Sequence, residues 1–242
     1  MIVKSAGARF MAAFNDIEDH LRATLHADVH VEFTQLARAY SDRKRLNRQQ
    51  RDALAAYASL RNAISHGRYY GGRPIAEPVD EVVDQIEQLR DLLKNPPTAL
   101  SVLGAMKVQS VAPGDPVGTA LNYVRDFDFS QLPVYDDGTY SGLLTTNAVA
   151  RWLANQLISN DGYAETASVA EVIKFAEQHE CALLVPRTIP VNEALHLLAH
   201  GGKGGKPVTA LIVTQNGKTN ETPLAVVVAE DVAALSAALT FA

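Results

Sequence analysis

The chain has 242 residues, 47% of them hydrophobic, which is enough to bury a real core and favours two domains over one. No run approaches the roughly 18 to 20 apolar residues of a membrane span, and MIVKSAGARF lacks the basic, apolar and cleavage regions of a secretory signal, so a cytoplasmic protein without a membrane partner is expected. Charge is unevenly divided: residues 1–97 carry 14 Lys+Arg against 13 Asp+Glu, and residues 98–242 carry 8 against 14, so only the first half tolerates a polyanion. The lone cysteine, Cys181, excludes an intramolecular disulfide; in ECALLV it reads as a small buried hydrophobe at the start of a strand.

Residues 8–94 read as helices. Phe10, Phe14, Ile17, Leu21 and Leu25 recur every three or four positions, as do Val79, Val82, Val83, Ile86, Leu89, Leu92 and Leu93. Between them lie a shorter segment around Phe33, Leu36 and Tyr40, and a helix with Asn47 as its N-cap that runs through Leu54, Tyr57 and Leu60. The spacing predicts a bundle of about four helices over residues 1–97, ended by Asn95-Pro96-Pro97. His20, His26 and His30 are six and four residues apart, without Cys or supporting carboxylates, so they read as helix or loop residues and no metal site is expected.

After Pro97 short β-rich runs alternate with helical ones, and the half repeats itself. PVGTAL (116–121) matches PVNEAL (190–195), QLPVYDDG (131–138) matches ALIVTQNG (210–217), and GLLTTNAV (142–149) matches AVVVAEDV (225–232). The offset grows from 74 to 79 to 83, which places two insertions in the second copy, the GGKGG loop and the TQNGKTNETP hairpin. Two βαββα units result, over 98–158 and 168–242. A Pro-Val entry to a helix, a strand ending in Asp-Gly or Asn-Gly, and a Gly-apolar-apolar-Thr strand feeding a last helix resemble a tandem pair of CBS domains. The fold class implied is α + α/β, a helical bundle followed by a CBS pair with clefts between its copies. In that family such clefts commonly hold adenosine-containing ligands.

The resemblance also implies a ligand motif: a Thr or Ser at the end of the last strand, to reach phosphate, and an Asp three residues on, to hold ribose hydroxyls. This chain divides it. The first copy has Thr145 and Thr146 but Ala148 at the Asp position, and the second has Asp231 but Val228 at the hydroxyl position. Thr145, Thr146 and Asp231 are the candidate contacts to an adenine nucleotide, AMP or ATP; otherwise Asp231 is a helix N-cap and Thr145 a satisfied strand residue. GGKGGK at 201–206 lacks the Walker spacing and reads as a flexible insertion.

RNAISHG at 61–67 presents an arginine, a polar residue directly after it, and a histidine behind four intervening positions. This resembles the R-x-x-x-x-H signature of HEPN domains, with Arg61, Asn62 and His66 at the family's catalytic positions. RNA cleavage by internal transfer needs an imidazole to move protons and a cation to neutralise the phosphorane, and no metal. Five residues turn an ideal helix by about 500°, leaving Arg61 and His66 about 140° apart, so His66 reaches the same phosphate only if the helix ends at Gly67. The alternative is that Arg61 pairs with a carboxylate while His66 caps the helix C-terminus. RKRLNRQQR at 43–51 is either an RNA-backbone contact or a solvated helix start, and Tyr69 and Tyr70 either stack on a base or pack.

Together these readings give a homodimeric protein with a metal-independent single-strand RNA-cleaving domain, assembled or regulated by a CBS pair that binds AMP or ATP; no DNA partner is expected. The alternative is a non-catalytic ligand sensor or scaffold whose helical domain only dimerises or recruits a partner.

Overall fold

The computed structural model describes residues 5–66, 68–69, 73–158, 167–202, 205–206 and 208–241. The chain divides into two units: Met1–Pro97 with Val191–Glu193 and Ser236–Ala242, and Thr98–Pro190 with Ala194–Leu235.

In the first unit, helix α1 (Ala6–Leu25) starts where Ser5 accepts the Ala8 N–H and ends at His26, whose φ of 53° reverses the chain. Its buried stripe is Phe10, Ala13, Phe14, Ile17 and Leu21. Helix α2 (Phe33–Lys44) buries Leu36 and Tyr40, and Arg45 turns the chain at φ 56°. Helix α3 (Arg48–His66) opens on a reciprocal cap: Asn47 Oδ1 accepts the Gln50 N–H at 2.8 Å, and Gln50 Oε1 accepts the Asn47 N–H at 3.1 Å. A two-residue ribbon follows, β1 (Arg68–Tyr69) antiparallel to β2 (Arg73–Pro74), which hydrophobic periodicity does not reveal. Helix α4 (Asp80–Lys94) buries Val83, Ile86, Leu89 and Leu93. Val79 departs from the expected stripe: it is the N-cap of α4 and is exposed, because it precedes the first turn. One apolar cluster joins these helices, and it includes Phe241. Gln49 Nε2 holds the Phe241 carbonyl at 3.1 Å, so the last residues complete the helical unit rather than the unit that precedes them in sequence.

After Pro97 the chain holds two similar copies. The first runs through α5 (Ala99–Leu103), α6 (Val117–Phe127), β3 (Gln131–Asp136), β4 (Thr139–Thr145) and α7 (Thr146–Ile158). The second runs through α8 (Val169–Ile173), β5 (Ala182–Pro186), α9 (Val191–His200), β6 (Ala210–Thr214), β7 (Ala225–Val227), a 3₁₀ turn (Ala229–Asp231) and α10 (Val232–Ala237). Strands β3 and β4 are antiparallel around Asp137-Gly138, both at positive φ as a tight hairpin turn requires. Strands β5 and β6 are parallel, and β6 and β7 antiparallel. Only one bridge, Val111 to Val134, represents in the first copy the parallel pairing that contains Val185 and Val213 in the second.

Reciprocal pairings join the two copies, the pattern that an approximate two-fold produces. Thr98 bridges Pro190 and Ser168 bridges Pro116; the Ala99 N–H donates to Ile189 O at 3.0 Å and the Val169 N–H to Asp115 O at 2.9 Å. Each short helix also opens on its own capping box, Thr98 with Ser101 and Ser168 with Glu171. Among the described residues, no helix is long and apolar enough to cross a membrane.

Candidate functional site

A cleft of about 210 Å³ in the second unit is assembled from three stretches. Residues 106–109 lead towards α6, residues 128–133 enter β3, and Val226, Val228, Glu230 and Asp231 close the far side. The geometry follows from local sequence. Asp128 ends α6 in a left-handed turn, φ 55°, which swings the chain into β3, and the 3₁₀ turn after β7 brings the Asp231 carboxylate back over the strand end. There Asp231 Oδ2 accepts the Val228 N–H at 2.9 Å. The lining carries one ammonium, Lys107, against the carboxylates of Asp128, Glu230 and Asp231.

Thr145 and Thr146 lie elsewhere. Thr145 is buried; its Oγ1 accepts the Ala148 N–H at 3.0 Å and donates to Glu180 Oε1 at 2.8 Å. Thr146 begins α7, and its N–H donates to Ser130 O at 3.1 Å. The crevice beside both threonines is about 10 Å³, no more than a single water needs. Glu180 is the residue that sequence reasoning missed. Its carboxylate also takes the Glu177 N–H at 2.7 Å and the Arg151 guanidinium. The signal was weak, an acid three residues after another just before a strand. Cys181, expected buried, is partly exposed; it precedes β5, with its N–H on His179 O and its carbonyl taking the Thr209 N–H.

In the helical unit, Arg61 and Asn62 line a cavity of about 420 Å³ together with Phe14, Glu18, Arg22 and residues 29–34. Arg61 Nη1 donates to Asn62 Oδ1 at 3.2 Å, and the guanidinium carbon stands 5.6 Å from the centre of the Phe14 ring. Its Nε is buried without a hydrogen-bond partner, and no carboxylate pairs with Arg61 among the described residues. Arg22, by contrast, is tied to Glu18 at 2.8 Å and to the Val31 and Asp28 carbonyls. His66 is the last residue of α3, but its side chain, Gly67 and Tyr70 lie outside the described residues, as do the side chains of Arg68 and Tyr69.

The basic stretch 43–51 is largely committed to structure. Arg43 donates to Thr24 O and Arg51 to Leu46 O, while Leu46 and Gln50 are buried; Arg48 faces Asp52 on the surface. His20 Nε2 donates to Tyr40 Oη at 3.0 Å, whose single proton goes to Leu93 O at 3.2 Å. Burial, helped by Lys94, lowers the His20 pKa, and burial pushes the Tyr40 hydroxyl up to about 12. His26 caps α1, and His30 lines the 420 Å³ cavity. Among the described residues no group of three or more His, Cys, Asp or Glu side chains is placed to hold a metal ion. In the GGKGGK stretch, residues 203 and 204 lie outside the described residues, and Gly201 caps α9 at φ 74°.

A family model for the CBS domain matches residues 102–155, the first copy. No curated protein matches the chain. Among solved structures, CBSX2 in complex with AMP is 20% identical, with 54% of this chain and 87% of that chain covered at a TM-score of 0.38. The CBS domain of a bacterial CNNM/CorC family Mg2+ transporter in complex with ATP is 17% identical, with 64% and 96% covered at 0.41. A hemolysin-like protein containing a CBS domain from Oenococcus oeni PSU is 16% identical, with 57% and 88% covered at 0.40.

Proposed function

We propose that this protein is a ligand sensor in which a CBS pair binds an adenine nucleoside or its monophosphate in the cleft at Asp231. The observation that carries the reading is the position of Asp231: it is held at the rim of an open cleft, where its carboxylate can accept two ribose hydroxyls. Residues 102–155 match the CBS domain, and the second copy repeats the same strand and helix order and pairs reciprocally with the first, which supports a pair. Size and charge favour AMP over ATP. The cleft's 210 Å³ lies below the roughly 300 to 1,000 Å³ of typical small-molecule pockets, which favours the smaller nucleotide, and three carboxylates against one ammonium oppose a triphosphate more than a monophosphate. Thr145 and Thr146 take no part in this site.

The test is thermal unfolding and calorimetric titration with adenosine, AMP and ATP. AMP should bind more tightly than ATP, and Asp231→Ala should remove the response. Asp231→Asn, which can still accept the Val228 N–H, separates loss of the turn from loss of the ribose acceptor. If the parent protein responds to none of the three, or the response survives in both variants, the assignment is wrong.

A second reading attaches to the helical unit and rests on Arg61. Its guanidinium has an aromatic face and a neighbouring amide for company but no carboxylate, and it lines a cavity with Asn62, which suits a cation kept for an external anion. In this reading a homodimer brings Arg61, Asn62 and His66 of both chains to one cleft and cuts single-stranded RNA. Cleavage in EDTA that leaves 2′,3′-cyclic phosphates and disappears in Arg61→Ala and His66→Ala would establish it. Intact RNA leaves the unit a scaffold for the sensor.

A further inference from the structure

In the aligned segments GLLTTNAV and AVVVAEDV, Thr145 and Ala148 take the positions that Val228 and Asp231 hold at the open cleft. In the open cleft an approaching segment, residues 106–109, forms one wall. Its counterpart is the segment leading to β5, and there the chain inserts a side chain of its own. The Glu180 side chain is only 2% exposed. Oε1 accepts from Thr145 Oγ1 at 2.8 Å; Oε2 accepts the Glu177 N–H at 2.7 Å and a proton of Arg151 Nη2. Arg151 is aimed by a second bond, Nε to the Phe175 carbonyl at 2.8 Å, while its side chain stays 36% exposed. A hydroxyl, a main-chain N–H and a guanidinium converging on two oxygens form the donor set of an oxyanion site. All three donors are placed without help from the Glu180 side chain: Thr145 by the cap of α7, Arg151 by α7 and Phe175, and the Glu177 N–H by a turn that the Glu180 main-chain N–H closes on Glu177 O at 3.0 Å.

We propose that this is a carboxylate-binding site that the chain has closed with its own carboxylate, Glu180. The seat is shaped for a small carboxylate, and once the Glu180 side chain is removed it takes one from solution. In the parent protein the seat is always filled, so it is silent towards external anions. Ligand binding by the second unit is then confined to the other cleft, a consequence that rests on the assignment of Asp231 above; the closed seat itself does not.

Glu180→Ala tests the proposal, with unfolding followed by the fluorescence of Trp152, which is buried on α7. Acetate or formate, compared with chloride at equal ionic strength, should raise the melting temperature of the variant by several degrees and saturably, and leave the parent unmoved. Glu180→Gln, which keeps the seat filled, should not respond, nor should Glu180→Ala combined with Arg151→Ala. Should Glu180→Ala not fold in chloride, its refolding yield with and without acetate becomes the measurement, and rescue is expected. An equal response in the parent, or no effect of acetate and formate on stability or yield of Glu180→Ala, overturns the proposal. Because these arms use no nucleotide, their failure is distinct from failure at Asp231.

Discussion

Replacing Thr145 by Val keeps the shape of the side chain and removes one oxygen that serves two bonds. As an N-cap, Thr145 accepts the Ala148 N–H at 3.0 Å, and losing such a cap typically costs about 1 kcal/mol. As a donor it serves a buried carboxylate at 2.8 Å, and a hydrogen bond to a charged group contributes about 1.5 to 3 kcal/mol. Glu180 keeps the Glu177 N–H and Arg151, so the charge is not orphaned and the full penalty of an unpaired buried ion does not arise. The loss should therefore fall near the lower end, about 2 to 3 kcal/mol, a large share of the roughly 5 to 15 kcal/mol that holds a domain folded. Equilibrium urea unfolding read by Trp152 fluorescence measures it in the same unit. Thr145→Ser, which keeps the oxygen and loses one methyl, should cost only about 1 kcal/mol. A Thr145→Val protein within about 0.5 kcal/mol of the parent would show that Glu180 does not depend on this hydroxyl, and the account of the closed seat would lose one of its three donors.

Arg61→Met should be neutral or slightly stabilising by thermal unfolding: it gives up about 0.5 to 1 kcal/mol of interaction with Phe14 but relieves a buried Nε that lacks a partner, a larger penalty; a drop of several degrees would make Arg61 a structural residue. His20 has its pKa lowered by burial, so below about pH 6.5 the unfolded chain takes up the proton more readily, and stability should fall as pH drops through that value towards the folded pKa. The melting temperature of His20→Gln should decline less between pH 7.5 and 5.5 than that of the parent. Gly217 sits at φ 77°, and an added Cβ would stand 3.1 Å from Pro186 N, so Gly217→Ala should cost at least about 1 to 2 kcal/mol in the same melt.

Much of the architecture was legible because it is written in period and punctuation. The stripes of α1 and α4, the Asn47 cap, the Pro-Val helix entries and the matched strands are local patterns, each read from a few neighbouring residues. The matched segments did not reach Val111, and only the fold shows that it pairs with Val134 as Val185 does with Val213. Asp231, by contrast, was legible, as an acid at a helix entry after a strand.

What the sequence determined by itself was therefore local: which segments are helix or strand, that the second half is doubled, and which copy keeps the acid and which the hydroxyl. Tertiary structure decided what each polar group faces. Glu180 is 35 residues from Thr145 and 29 from Arg151, and only the folded second unit brings the three together. Phe241 belongs to the second copy by its place in the sequence yet is buried with Phe10 and Tyr57, because apolar burial rewards whichever surface is uncovered nearby and not the order of the chain. A hydroxyl such as that of Thr145 has the same chemistry towards a ligand and towards a neighbour's carboxylate, so its partner is chosen by distance, and distance across a fold is not encoded in any short stretch of sequence.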